Sequence, residues 1–422
     1  MKIQVQKIVA WMPVLTALVI PVHPRFTVIS LLLWVVGVLV LEVAWKVAIS
    51  QQTRVAQEPL MDSSRWFGMW SILTFVLLAC TLIWTESVED GLLQLETKFS
   101  MLLIPLLFWH YQKRLGRIEK EKIVAAFLIG IGVFMCWRFM HALFSLEENA
   151  WRYDGLAGPF HPTYLGMYLV IVAVLNPLNE HWQKVHLFLS GLFVGLLASK
   201  AAWIIGCAIW SIEIIRLVRI NKQFAWPYGV AIVLLLSGGW AGDQGRWQEF
   251  QQYVFSKDTS IESIHSGNEP LAVTKLQNEG PSENIGSSGG RVQAWNASWK
   301  VLTNHPLGVG IGDSQDVLNS FYEADGAHYA RKKSMNSHSV WLQMGISSGW
   351  LGIVFLILWW GGTLRLAWIE RNWHLIAWSM IWLLNGVLES LLELQQGVVP
   401  FIFITLVLCS GYLNRKEKVL LG

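Results

Sequence analysis

Apolar residues in this chain come in long, nearly unbroken runs rather than in alternation with polar ones. Twelve runs stand out, at roughly 8–22, 26–49, 66–84, 98–111, 122–144, 162–176, 185–199, 201–219, 225–240, 339–361, 374–392 and 398–413. A transmembrane helix needs about 20 mostly apolar residues, whereas the strands of a membrane barrel alternate. The pattern therefore predicts an all-α polytopic membrane protein of about 12 transmembrane helices, a single integral membrane domain over 1–422. The runs at 98–111, 162–176 and 185–199 are short enough to be tilted, broken or re-entrant. The opening MKIQVQKIVAWMPVLTALVI has a basic start and an apolar stretch but no small-x-small cleavage site, and Pro21 and Pro24 follow. A retained first helix is expected rather than a cleaved signal peptide.

Composition narrows the class. The AVILMFWYC residues make up 54% of the 422 residues and charged residues only 14%, well under the ~25% charged of a soluble domain. A soluble enzyme, a disordered chain and a disulfide scaffold are excluded. The net charge of +3 gives no reason to expect nucleic acid as a partner. The four cysteines, Cys80, Cys136, Cys207 and Cys409, all lie in apolar runs, so no disulfide is implied. Many of the 25 tryptophans, among them Trp84, Trp109, Trp182, Trp240 and Trp373, fall near run ends, where an interfacial belt is expected.

Charge distribution gives orientation. With the N-terminus in the cytoplasm, the inside segments hold 19 Lys and Arg, and the short outside segments hold five: Arg25, Lys98, Arg138, Arg152 and Lys200. This is the positive-inside bias, and an even helix count returns the C-terminus to the cytoplasm. One outside segment, 241–338, is long. It opens on GRWQEFQQYVFSK, passes through a polar stretch from Asp258 to Gly290, and continues as RVQAWNASWKVLTNHP. There Val292, Trp295, Trp299 and Leu302 recur at helical spacing. An amphipathic helix is expected, lying on the membrane surface or packing on the bundle.

The polar groups that stand out gather at the outer side. Arg138 and His141 lie one turn apart near the outer end of the fifth run, followed by Arg152, His161 and Tyr164. Lys200 sits at an outer helix junction, Arg291 opens the amphipathic helix, and His338 stands where the long segment re-enters the membrane. Glu389 and Glu393 are one turn apart at the outer end of the eleventh run. Ionisable groups at membrane depth are expensive and carry a functional hypothesis by default. Cations with an imidazole at an outer face suit a lipid-linked diphosphate. Arg neutralises phosphate with a bidentate fork, and a neutral His takes a proton from an attacking hydroxyl. Each residue also has a structural reading. His338 is then a helix-end His, Lys200 a snorkelling flank, and Arg138 with His141 a partner for Glu389 or Glu393. The GVGIGD stretch at 308–313 resembles a phosphate loop but lacks a preceding strand. Its glycines read as backbone turns that bring the chain back to the membrane.

Five segments in order resemble the O-antigen ligase and polymerase superfamily of bacterial envelope glycosyltransferases. They are GLAGPFHPTYLGMYL (155–169), LLASKAAW (196–203), GGRVQAWNASWKVLTNHPLGVGIGD (289–313), NSHSVWLQMGISSGWLG (336–352) and ESLLELQQGVVPFIF (389–403). The resemblance implies a GT-C-type membrane fold with one long periplasmic loop, 241–338, in the bacterial inner membrane. It implies inverting transfer of glycan from an undecaprenyl-diphosphate-linked donor to a lipid A–core acceptor, without cofactor or metal, among membrane lipids. It also implies that His338 activates the acceptor hydroxyl and that Arg291 contacts the diphosphate. Lys200 stands where many members have Arg, and His161-Pro162 where many have Asn-Pro. Arg138 and Arg152 complete the expected binding set, in an outward-facing cavity roofed by 241–338. Ligase activity is favoured over polymerase. A lipid-linked glycan flippase or transporter is the other class, and it should carry charge through the membrane interior rather than at one face.

Overall fold

The computed structural model describes residues 2–47, 63–115, 119–147, 149–175, 180–220, 223, 225–242 and 287–410. The first part of the expected outer segment, 243–286, thus lies outside the described residues. All regular structure among the described residues is helical. Every one of the twelve apolar runs falls on a helix. These are α1 (Lys2–Val19), α2 (Pro24–Val47), α3 (Ser63–Cys80), α5 (Ser100–Leu115), α6 (Lys120–Phe144), α8 (Pro162–Ile171), α9 (Glu180–Leu196), α10 (Lys200–Ile220), α11 (Trp226–Gly242), α15 (Val340–Ile369), α16 (Trp373–Leu388) and α17 (Gln395–Cys409). Among the described residues five more α-helices lie between them: α4 (Val88–Lys98), α7 (Tyr153–Ala157), α12 (Ser287–Asn304), α13 (Ser314–Ala324) and α14 (His328–Lys332). Six helical stretches among the described residues are long and apolar enough to cross a membrane, and α8, α16 and α17 are among the shorter apolar ones.

Two of the short helices form the centre. Every residue of α8 is buried, and so is every residue of α17 from Gly397 to Cys409. An apolar helix buried on all sides belongs inside a bundle rather than against lipid. Around α17, Phe401 meets the rings of Phe67, Trp359, Trp360 and Trp382. The tryptophans thus divide. Trp84, Trp182 and Trp240 are exposed, as a belt requires, but Trp34, Trp203, Trp210, Trp359, Trp378 and Trp382 fill the core. Glycines allow the closest helix crossings, as small residues do in membrane bundles. A Cβ on Gly191 would stand 2.5 Å from the Ala231 carbonyl and one on Gly195 2.5 Å from that of Leu235, which brings α9 against α11.

The helix over Arg291 differs in detail from its expectation. It begins at Ser287, four residues before Arg291. Its buried face is Ala294, Ala297, Ser298, Val301 and Leu302, whereas Val292 and Trp299 are exposed. The small residues let α12 pack closely, with Leu318, Tyr322, Ala330 and Ile346 completing a second apolar core. Trp299 turns outward and meets Trp350 of α15 edge to face at 5.9 Å.

α15 is broken at Ser348 and Gly349, whose backbones are non-helical. The polar groups freed there are satisfied by the GVGIGD turn. Val309 N–H donates to the Ile346 carbonyl (2.8 Å), Gly310 N–H to that of Ser347 (3.1 Å), and Trp350 N–H to that of Pro306 (3.0 Å). The turn also docks on the α3–α4 junction. Ile311 and Gly312 N–H donate to the hydroxyls of Thr81 and Thr85, and the Asp313 carboxylate accepts from the N–H groups of Glu86 and Ser87. Gly308 and Gly310 have φ of +78° and +95°, conformations that favour glycine. The glycines of 308–313 are therefore turn and docking residues. Gly349 has φ +67°, and a Cβ there would run into the Pro306 carbonyl. Gly349→Ala is expected to destabilise the protein by more than about 1 kcal/mol, because strain is added at an incompatible φ. A lowered melting temperature of the detergent-solubilised variant checks this.

Candidate functional site

The site begins with a four-residue turn, Asn336 to Ser339, at the start of α15. His338 has φ +45°, rare for a residue with a Cβ. Three contacts hold it there. The Asn336 side-chain oxygen accepts from His338 N–H (2.9 Å), Trp295 of α12 donates its indole N–H to the His338 carbonyl (3.2 Å), and Ser390 Oγ accepts from Ser339 N–H (3.2 Å). Ser390 also donates to Asn336 Oδ1 and lies 3.2 Å from Ser337 Oγ. Strained backbone of this kind persists where its surroundings over-determine it.

Ser390 belongs to the corner between α16 and α17. α16 ends at Leu388, and Glu389 is extended. Its carboxylate is buried, with 7% of the side chain exposed, and stands between two partners. His338 Nδ1 lies 3.0 Å from Oε1, and Arg291 Nη2 lies 3.5 Å from Oε2. His338 Nδ1 is in close contact with the carboxylate, but the ring nitrogen is not aligned for a hydrogen bond. Burial acts to raise the Glu389 pKa, but His338, His161 and Arg291 outweigh it, and the carboxyl stays below its usual range. Glu389 is therefore an anion near neutral pH. Arg291 Nε is buried and has no hydrogen-bond partner among the described residues. Such a group costs free energy until an acceptor reaches it.

The other corner carboxylate, Glu393, is paired with Lys98 of α4 at 3.0 Å. Lys98 is 2% exposed. The expected partnership of Arg138 and His141 with Glu389 or Glu393 is replaced by these pairs. The exclusion has a simple cause: Arg138 is buried with its guanidinium on the carbonyls of Leu156 and Gly155. It clamps the α6–α8 connection beneath Gly158, where a Cβ would lie 3.0 Å from the guanidinium.

His161 caps α8. Its backbone N–H donates to Gln396 Oε1 (3.0 Å), and its Nδ1 accepts from Thr163 N–H (3.4 Å). Tyr164, one turn into α8, donates its hydroxyl to the Ser390 carbonyl (3.2 Å). Burial pushes the His161 pKa down, Glu389 and Asp154 act the other way, and Arg291 and His338 reinforce burial. His161 is thus a neutral ring within electrostatic reach of the Glu389 group. Lys200 is the half-buried first residue of α10, which starts beside α8 with Ala202 against Gly166. Arg152 is exposed at the N-cap of α7. The groups whose electrostatics reach Glu389 are His338, His161 and Arg291; Lys200, Arg138 and Arg152 are not among them. Of the six expected site residues, the structure gathers three around one carboxylate. Among the described residues no three His, Cys, Asp or Glu side chains are grouped as metal ligands would be.

An imidazole against a buried carboxylate, with an Arg that meets the same carboxylate through Nη2 and keeps a buried Nε without a partner among the described residues, can move a proton beside an anionic ligand. It is built here into one end of an all-helical membrane protein. Residues 185–357 match the family model described as O-antigen ligase. The match supports the O-antigen ligase-like superfamily, whose members are in general glycosyltransferase-like enzymes with lipid-linked glycan and lipid A–core substrates. It runs from α9 to the middle of α15 and takes in Lys200, Arg291 and His338, but ends before Glu389 and begins after His161. No curated protein matches the chain.

The Glu389 pairing predicts a pH dependence of stability. Its folded pKa is depressed, so its contribution is fully present above the unfolded carboxyl pKa, near ~4.3. It is lost as pH falls through the folded value. Glu389→Gln leaves the Arg291 guanidinium without its counter-charge and His338 without its carboxylate partner, which for a buried ion pair costs about 3 kcal/mol. Thermal unfolding from pH 7 down to pH 3 should show a lower melting temperature for the variant at pH 7 and a shallower acid decline.

Proposed function

We propose that the chain is an O-antigen ligase. In this reading it is a single integral membrane domain of the GT-C type in the bacterial inner membrane, with both termini cytoplasmic. Residues 241–338 are its periplasmic loop. It transfers O-antigen glycan from undecaprenyl diphosphate to lipid A–core at the periplasmic face, with inversion and without a metal. The observation that carries the reading is the pairing of His338 with the buried, ionised Glu389, which Arg291 shares.

The roles follow from that geometry. His338 Nδ1 faces the carboxylate, which leaves Nε2 for the acceptor. As the acceptor hydroxyl oxygen attacks the anomeric carbon, its proton passes to Nε2 and the bond from that carbon to the diphosphate oxygen breaks. Undecaprenyl diphosphate departs with the electron pair. Glu389 offsets the positive charge that develops on the imidazole, as a buried carboxylate does for a general-base His. Arg291 offers its unpartnered Nε to a phosphate oxygen. Lys200, at the start of α10, supplies a second positive charge at the diphosphate. Arg152, exposed and flexible in reach, suits the glycan side of the donor, and Arg138 contributes by holding the α7 turn.

A deletion strain tests the assignment through its lipopolysaccharide. Loss of all polymer bands, with lipid-linked polymer retained, is the ligase outcome; a band carrying one repeat means polymerase and overturns it. With purified protein, His338→Ala and His338→Gln should each lower turnover by about 10²–10⁴-fold with donor affinity nearly unchanged. Arg291→Ala should weaken donor binding by a charge-assisted contact, about 1.5–3 kcal/mol. Near-normal turnover by His338→Gln would exclude the proton-accepting role.

A further inference from the structure

We infer that His161 is a fixed-tautomer hydrogen-bond donor to the diphosphate of the lipid-linked donor, its Nδ1 being spent as the cap of α8 and its Nε2–H offered to the ligand. The inference rests on the glycosyltransferase reading above and adds a residue to its donor site.

The argument starts from the cap. A helix leaves its first N–H groups without intrahelical partners, and α8 is buried along its whole length, so water does not serve them. Pro162 removes one donor at the first position, and Thr163 N–H is taken by His161 Nδ1. A ring nitrogen that accepts a hydrogen bond carries no proton, so the single proton of the neutral ring is on Nε2. The neutral state follows from burial, which the nearby Arg291 and His338 reinforce against Glu389 and Asp154. His161 is therefore a donor at Nε2 and not a second base.

The ring is held in this orientation from two sides. Its backbone is tied to Gln396 of α17, and its plane stands edge to face against Tyr164 at 5.8 Å. Tyr164 is itself bonded to the Ser390 carbonyl, next to Glu389. Among the described residues nothing accepts a hydrogen bond from Nε2; Glu389 acts on the ring through charge alone. Glu389 is already occupied by His338 and Arg291. The N–H thus joins the unpartnered Arg291 Nε as a second unused donor of the same charge cluster. Two donors, one cationic and one neutral, suit an anionic oxygen pair better than a sugar hydroxyl, which would need acceptors as well.

The two duties can be separated. His161→Thr keeps a capping oxygen but is too short to reach a ligand, and His161→Gln places an amide N–H near the Nε2 position but is a poor cap. The probe is undecaprenyl diphosphate, titrated into the full-length protein in detergent, with melting temperature measured in parallel. His161→Thr should lose about tenfold or more in affinity, the scale of a charge-assisted hydrogen bond, and keep its melting temperature. His161→Gln should restore affinity to within about threefold of the original and melt lower. Unchanged affinity in His161→Thr, with Arg291→Ala clearly weakened, overturns the inference and leaves the glycosyltransferase reading standing. If the unaltered protein does not bind the diphosphate, or Arg291→Ala binds as well as it does, both fall.

Discussion

One buried anion organises this end of the molecule. The Glu389 carboxylate is surrounded by apolar helices and has given up nearly all its water. Taking an ion out of water costs several kcal/mol unless partners repay it. His338 comes from the start of α15 and Arg291 from α12, so the need to neutralise one carboxylate draws three separated stretches of chain to a common point. The residues around it enforce the same geometry. Ser390 pins the turn that carries His338, and Glu393 ties the far end of the corner to Lys98. The strained backbone at His338 is tolerated because these contacts leave it no alternative.

The scaffold beneath is built so that this corner can be irregular. α8 and, from Gly397 on, α17 are both short and buried on all sides, so they run inside protein. Non-helical backbone at membrane depth is allowed only in such a setting. The corner between α16 and α17, the cap of α8 and the break in α15 are each satisfied by hydrogen bonds within the protein.

Much of this was legible in the chain itself. The helix positions followed from apolar runs, because the bilayer imposes a length and a continuity that local sequence must meet. His338 and His161 stood out because polar groups at the edge of apolar runs are costly, and Arg291 because it opens the amphipathic helix. Other features were hidden for physical reasons. The buried face of α12 includes two alanines and a serine, which weigh little in any apolar pattern, while its conspicuous Trp299 and Val292 face outward. The belt tryptophans near run ends were legible, but the tryptophans that fill the core, such as Trp34, Trp359 and Trp382, were not, because the residue type serves either place and only packing decides. The partners of Glu389 and Glu393 lie about 50 to 300 residues away along the chain, as in Lys98 with Glu393 at a separation of 295. Spacing along one helix had pointed instead to Arg138, which the structure commits to two carbonyls.

The break in α15 has a consequence for how the molecule can be altered. Its missing helical bonds are supplied by backbone atoms of Pro306, Val309 and Gly310, which are main-chain groups that no side-chain replacement elsewhere can imitate. The segment between α11 and α15 is thus not a separable cap on a finished membrane body. Cutting it out, or exchanging it for another loop, would leave α15 with open carbonyls in its interior, and the helix would have to straighten to close them. Straightening would rotate everything on one side of Gly349 relative to the other, including the turn that presents His338. Grafts that respect the molecule must therefore keep residues 306–313 together with α15 as one unit, and place their seams farther upstream.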